Sequence, residues 1–155
     1  MNQNLDETDR RILAVLQKDV TLSMDALAER VHLSRNACWR RIRQMEEAGV
    51  LKGRVALVDP QAVGLGLSVF VMIRTQRHDP DWLAQFQKVV REMPEIVGAH
   101  RMSGDLDYVL RVRVADVAGY DRFYQRLIAK VPLADISASF VMEDLKDTTE
   151  LPVLR

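Results

Sequence analysis

Between Leu22 and Ala48 the chain reads LSMDALAERVHLSRNACWRRIRQMEEA, two short amphipathic helical patterns joined at His32, Leu33 and Ser34. In the first, Met24, Leu27, Ala28 and Val31 recur at i, i+3, i+4 and i+7, an apolar stripe on a helix of about two turns with Ser23 placed to cap it. After the break, Ser34 can accept from the free N–H groups that open the second helix, whose apolar positions are Cys38, Ile42 and Met45. This stripe buries Cys38 and leaves Arg35, Asn36, Trp39, Arg40 and Arg43 facing outwards. The pairing is a helix-turn-helix, and it points to DNA. Arg35, Asn36 and Trp39 occupy the opening turns, which reach base edges when such a helix lies in a major groove. Arginine pairs bidentately with guanine, asparagine with adenine, and any arginine can bind phosphate. The same pattern also suits a solvated arginine-rich face, with Trp39 packed against a neighbouring element.

The flanking sequence narrows this. Leu5, Ile12, Leu13, Leu16 and Val20 form a third stripe ahead of the pair, which makes a three-helix unit. Behind it, Val50-Leu51, Lys52-Gly53-Arg54 and Val55-Ala56-Leu57-Val58 read as a short hairpin, a wing or a linking strand. The formal net charge is zero, so affinity for nucleic acid must come from local charge. Residues 34–54 carry six bases, Arg35, Arg40, Arg41, Arg43, Lys52 and Arg54, against Glu46 and Glu47, whereas residues 5–33 carry six acids and four bases. Arg41, Lys52 and Arg54 are the expected phosphate contacts.

A boundary is expected near Asp59-Pro60. Beyond it, residues 67–75 form an apolar run that suits a strand covered on both faces. Asp79-Pro80 caps a helix with the stripe Leu83, Phe86, Val89, Val90 and Met93, ended by Pro94. Ile96–Met102 suggests a strand, residues 103–107 a turn, and Tyr108, Leu110, Val112 and Val114 alternate along the next strand. Asp116 caps a second helix through Tyr120, Phe123, Tyr124, Leu127 and Val131, stopped by Pro132. A final strand runs from Asp135 to about Met142. The order β-α-β-β-α-β is the split, ferredoxin-like arrangement, with both helices on one sheet face. The other face is apolar too, which implies burial against a second copy, a homodimer.

Catalytic signals are lacking. His32, a turn residue, His78, a loop residue, and His100, on a strand where it can face the dimer sheet, lie far apart with no carboxylate or cysteine at metal-ligand spacing. No phosphate-binding glycine loop or nucleophile elbow is present, so neither an enzyme, a metal nor a cofactor is expected. One cysteine permits no internal disulfide and fits a reducing cytoplasm, and no leader or membrane-spanning run is expected.

LDETDRRIL at the start, LSRNACWRRIRQMEEAGVLKG, and RMSGDLDYVLRVRV followed by FVMEDLKDTTELP together resemble the Lrp/AsnC family of feast/famine transcription regulators. The resemblance spans Leu5 to about Pro152 and is strongest to the Lrp-like branch with a Thr-Thr-x-Leu-Pro tail. It implies an α+β chain: a winged helix-turn-helix DNA-binding domain over 1–53 (three helices and a short hairpin), a linker strand over 54–64, and a ferredoxin-like ligand-binding and oligomerisation domain over 65–155. It implies an amino acid effector between subunits, near Met102, Ser103, Gly104, Asp105, Asp107 and Tyr108, with Phe140, Val141 and Met142 of the last strand and the tail residues Thr148 and Thr149 contributing. Arg101 stands where many relatives carry an apolar residue; it can pair with Asp107 or meet an effector carboxylate. The turn's own chemistry fits two roles. Its N–H groups can hold a carboxylate while Asp105 or Asp107 accepts from an ammonium, or Gly104 can supply a positive φ while the aspartates cap backbone donors. The expected partners are double-stranded DNA with two-fold related half-sites, further copies forming a dimer, tetramer or octamer, and a small neutral amino acid, cysteine or a branched-chain residue first. The alternative is a metabolic module that senses a small molecule and contacts protein partners without reading DNA.

Overall fold

In the computed structural model, residues 5–76 and 79–154 are described; His78 lies outside them. The chain divides into two compact units, Met1–Ala56 with Lys146–Arg155, and Leu57–Leu145.

The first unit is built on three helices, α1 (Glu7–Leu16), α2 (Met24–Arg30) and α3 (Arg35–Glu47). Their stripes meet as read: Ile12, Leu13, Leu27, Ala28, Val31, Cys38, Ile42 and Met45 form one buried cluster. Ser23 and Ser34 accept from Ala26 N–H and Ala37 N–H, so each helix opens on a satisfied donor. α2 closes with His32 at φ +57°, His32 N–H donating to Glu29 O and Leu33 N–H to Ala28 O. α3 closes in the same way at Gly49, φ +71°, with Val50 N–H donating to Met45 O. These two left-handed residues set the short turn and the exit from α3. Burial raises the pKa of the Cys38 thiol, which makes it inert packing.

α1 begins with a capping box: Asp9 N–H donates to Asp6 at 2.8 Å and Asp6 N–H to Asp9 at 3.2 Å. Arg41 bridges both carboxylates at 2.7 and 2.8 Å and ties α3 to the start of α1. The Asp9 N–H and the Arg41 guanidinium hold the Asp6 carboxyl below its ordinary range. Its ionised form therefore contributes stability that is complete above the unfolded pKa near 3.8 and is lost as pH falls through the lower folded value. Asp6→Asn keeps an acceptor for the cap but loses the charge. It is expected to melt below the parent at pH 7, with the deficit shrinking as pH falls below the unfolded value of about 3.8, in a pH series of thermal melts. A deficit persisting in acid would place the cost elsewhere.

Three expectations are corrected in this unit. α1 ends at Leu16, and Val20 is 40% exposed beyond it, because Asp19 closes a local turn on Thr21 N–H instead of extending the stripe. Residues 52–59 form neither a hairpin wing nor a linker strand; Val55, Leu57 and Val58 are exposed, and Arg54 folds back to Glu46 at 2.8 Å. Two short strands with no face to bury do not hold together. The segment 146–154, expected in the second domain, belongs to the first unit. Val153 packs against its core, Arg10 Nη1 donates to Val153 O at 3.0 Å, and the Gln17 amide pairs with both backbone groups of Leu151.

The second unit has the expected element order: β1 (Leu67–Arg74), α4 (Pro80–Glu92), β2 (Ile96–Arg101), β3 (Tyr108–Val114), α5 (Val117–Lys130) and β4 (Asp135–Phe140). The sheet is antiparallel in the order β2-β3-β1-β4. Val69, Val71 and Ile73 of β1 and Leu110, Val112 and Val114 of β3 meet Trp82, Phe86, Val89 and Met93 from the α4 segment and Phe123, Leu127 and Val131 from the α5 segment. Asp79 and Asp116 cap the two helices, accepting from Trp82 N–H and Gly119 N–H. β4 stops at Phe140, short of the expected Met142, which is 95% exposed.

The opposite sheet face carries Ser68, Phe70 and Met72 from β1, Val109, Arg111 and Arg113 from β3, and Gly98 and His100 from β2. Phe70 is 42% exposed there. The face is thus an apolar patch rimmed by arginine and serine, less uniformly apolar than β1 alone suggests. A Cβ on Gly98 would lie 3.4 Å from His100 Nε2 and 3.5 Å from Arg111 Cβ, so glycine lets His100 lie along this face.

Candidate nucleic-acid interface and effector turn

With Cys38, Ile42 and Met45 turned inwards, α3 presents Arg35, Asn36, Trp39, Arg40 and Arg43 to solvent, with Ser34 at its head. Trp39 is 56% exposed, which removes the option that it packs in a core; its ring carries the Arg43 guanidinium 5.8 Å from the centroid. Arg43 also pairs with Glu47 at 3.4 Å, and Arg35 with Asp25 of α2 at 3.6 Å. Exposed pairs like these are weak enough to exchange for phosphate or a base edge. Lys52 and Arg54 are exposed beyond the helix, Arg54 in its pair with Glu46. Arg41 departs from its expected phosphate role, since its guanidinium is already met by Asp6 and Asp9, which raise its pKa.

In the second unit, Met102–Asp107 form the turn between β2 and β3. Gly104 has φ +103°, and Met102 N–H donates to Asp107 O at 2.8 Å. The turn is tied to the end of β1: Asp107 N–H donates to Ile73 O, the Asp107 carboxylate accepts from Thr75 N–H at 2.8 Å, and Arg74 Nε donates to Asp105 O at 2.9 Å. Arg74 also reaches Asp135 of β4 at 3.3 Å. Arg74 was missed by sequence reasoning; its signal is a lone cation ending the apolar run of β1. Asp107 takes the capping role, while Ser103 and the Asp105 carboxylate stay exposed.

Tyr108 is half-buried. It lies on the helix side, 4.7 Å from Phe86 and 5.9 Å from Trp82 between ring centroids. Arg101 is exposed opposite it on β2. Phe140 stacks edge-on against Tyr120 of α5 at 5.3 Å, and Val141 N–H donates to Ser68 O. Tyr108 sits opposite Ile73 and Phe140 opposite Val69, so the turn and the end of β4 lie at opposite ends of the sheet, about 13 Å apart along β1. Thr148 and Thr149 lie on the exposed tail, Thr148 Oγ1 accepting from Glu150 N–H. Within the second unit the turn and the end of β4 are therefore not gathered into one pocket.

A helix-turn-helix with an arginine-studded second helix, followed by a βαββαβ unit, defines a two-domain regulator. Residues 5–52 match a family model described as winged helix-turn-helix DNA-binding, and residues 68–151 match the Lrp/AsnC ligand binding domain. The chain belongs to the Lrp/AsnC family of transcriptional regulators. It is 52% identical over 150 residues to the DNA-binding transcriptional activator DecR of Escherichia coli K12, covering 96% of this chain and 99% of that protein. It is 50% identical over 153 residues to the glutamate uptake regulatory protein of Zymomonas mobilis, covering 99% and 93%. Among solved structures, a regulator from Neisseria meningitidis in complex with L-Met superposes with a TM-score of 0.92 at 36% identity, covering 97% of each chain. These matches favour the DNA-binding regulator over a module that does not read DNA. Among the described residues, no helix is long and apolar enough to cross a membrane.

Proposed function

We propose that this chain is a cytoplasmic, amino-acid-responsive regulator, without catalytic activity, whose α3 lies in the major groove of two-fold related half-sites. The observation that carries this reading is the outward set Arg35, Asn36, Trp39, Arg40 and Arg43 on a helix whose other side is fully occupied by core. Arg35, Asn36 and Trp39 read base edges, and Arg40, Arg43, Lys52 and Arg54 bind phosphate or bases. The apolar patch around Phe70, Met72 and Val109 pairs with a second copy, and dimers join into tetramers or octamers. A small neutral amino acid, cysteine or a branched-chain residue, binds at the turn 102–107. There the exposed Asp105 carboxylate meets its ammonium, backbone N–H groups meet its carboxylate, and Arg101 flanks the site. The opposite placement of the turn and Phe140–Met142 supports completion of this site by another copy. The L-Met complex of the Neisseria regulator supports the ligand class.

The test is a fluorescence-anisotropy titration onto DNA from upstream of the protein's own gene, at two salt concentrations, with and without mixed amino acids. Four phosphate contacts predict an affinity loss of about a hundredfold between 50 and 200 mM salt, and the mixture is expected to shift binding. Salt-independent binding contradicts the interface; binding that no amino acid shifts contradicts the effector.

A further inference from the structure

At the β2 edge of the sheet, α4 and β2 border an open cleft of about 440 Å³ that His100 also lines, a size that holds a small organic ligand. Phe86 and Tyr108 form its floor, and Leu83 and Val90 its α4 wall. Two guanidinium groups line it: Arg91 from the last turn of α4 and Arg101 from the end of β2. Neither makes an ion pair among the described residues, so both guanidiniums are available to a ligand. Among the described residues, no carboxylate lines the cleft.

Two unpaired cations above an apolar floor select an anion with an apolar body, and the guanidinium fork matches a carboxylate. The missing acid decides between two kinds of carboxylate. An amino acid brings an ammonium group, which two guanidiniums repel and no side-chain carboxylate here receives. A 2-oxo acid has the same skeleton, three acceptor oxygens and no cation. We propose that the cleft binds a small apolar 2-oxo acid, the deaminated counterpart of an amino acid, at a site that adjoins the turn and shares Arg101 with it. The regulator would then respond to the amino acid and to its carbon skeleton through adjoining surfaces. This site stands whether or not the effector reading of the turn holds.

Calorimetric titration of the full-length protein with 4-methyl-2-oxopentanoate, and separately with L-leucine, tests it on the parent, Arg91→Gln and Ala99→Glu. Arg91 is exposed, and the exposed Ala99 lines the same cleft, where a glutamate would supply the anion internally. The parent is expected to bind the 2-oxo acid, both variants at least about tenfold more weakly, and any L-leucine heat is expected to be unchanged by Arg91→Gln. No binding by the parent, or equal binding by the variants, overturns the proposal. So does loss of both ligands together in Arg91→Gln, which would merge the cleft with the amino acid site. A change of sedimentation alone in that variant also overturns it, since the cleft would then be an interface between copies.

Discussion

Replacing Arg35 and Arg40 together by alanine is expected to weaken binding to operator DNA by roughly a hundredfold or more, with helix content and oligomeric state unchanged. Each well-aligned arginine–base pair is worth about 1–3 kcal/mol of discrimination, so losing two removes about 2–6 kcal/mol. Neither side chain contributes to the buried cluster, and the Arg35 pair with Asp25 is exposed, so stability changes little. Anisotropy with specific and scrambled DNA separates the two ways the arginines can act. Base readers lose affinity mainly for the specific sequence; phosphate binders lose it equally on both and lower the salt slope. Arg41→Ala provides the contrast. It is expected to lower the melting temperature of the helical unit through the uncompensated Asp6 and Asp9 while leaving DNA recognition by the folded protein intact. A parent-like affinity in the double variant would remove α3 from the groove.

The largest stability effect is expected at Trp82, 2% exposed between α4 and the sheet. Its ring stacks on Phe86 at 5.1 Å and its Nε1–H donates to Pro132 O at 2.8 Å, so it closes the space between the start of α4 and the end of α5. Trp82→Ala removes the packing and leaves a cavity, at a cost of about 3–5 kcal/mol. For a unit of this size that is a fall of roughly 15–30 °C in melting temperature. Trp82→Phe keeps most of the ring contact but strands the carbonyl of Pro132, costing about 1–3 kcal/mol. Calorimetric melts of the two variants separate packing from the hydrogen bond. Equal losses would assign the whole effect to the bond.

The helix pair was legible because its signals are local: caps, stripe and turn all lie within 27 residues, Leu22 to Ala48, and each is settled by its neighbours. The βαββαβ order was legible for the same reason, with Asp79, Asp116, Pro94 and Pro132 marking the helix ends. What failed was read from composition where geometry decides. Arg41 was counted as surface charge, yet it stands three residues after Cys38 and four before Met45, on the edge of the buried stripe. The apolar residues 55–58 matched a strand pattern but had no face to cover. The turn's internal bonds were readable as chemistry, whereas Arg74 joins it from 31 residues away, beyond the reach of any local pattern. The return of residues 146–154 was hidden for the same reason.

That return has a bearing on biosynthesis. The helices of the first unit are translated before the second unit, yet Val153 and the backbone of Leu151, which bond to Arg10 and Gln17 of α1 and its cap, follow the second unit in the chain. A nascent chain therefore carries an unfinished first unit throughout the synthesis of the second, and the unit gains these contacts only once residues 151–153 have followed it.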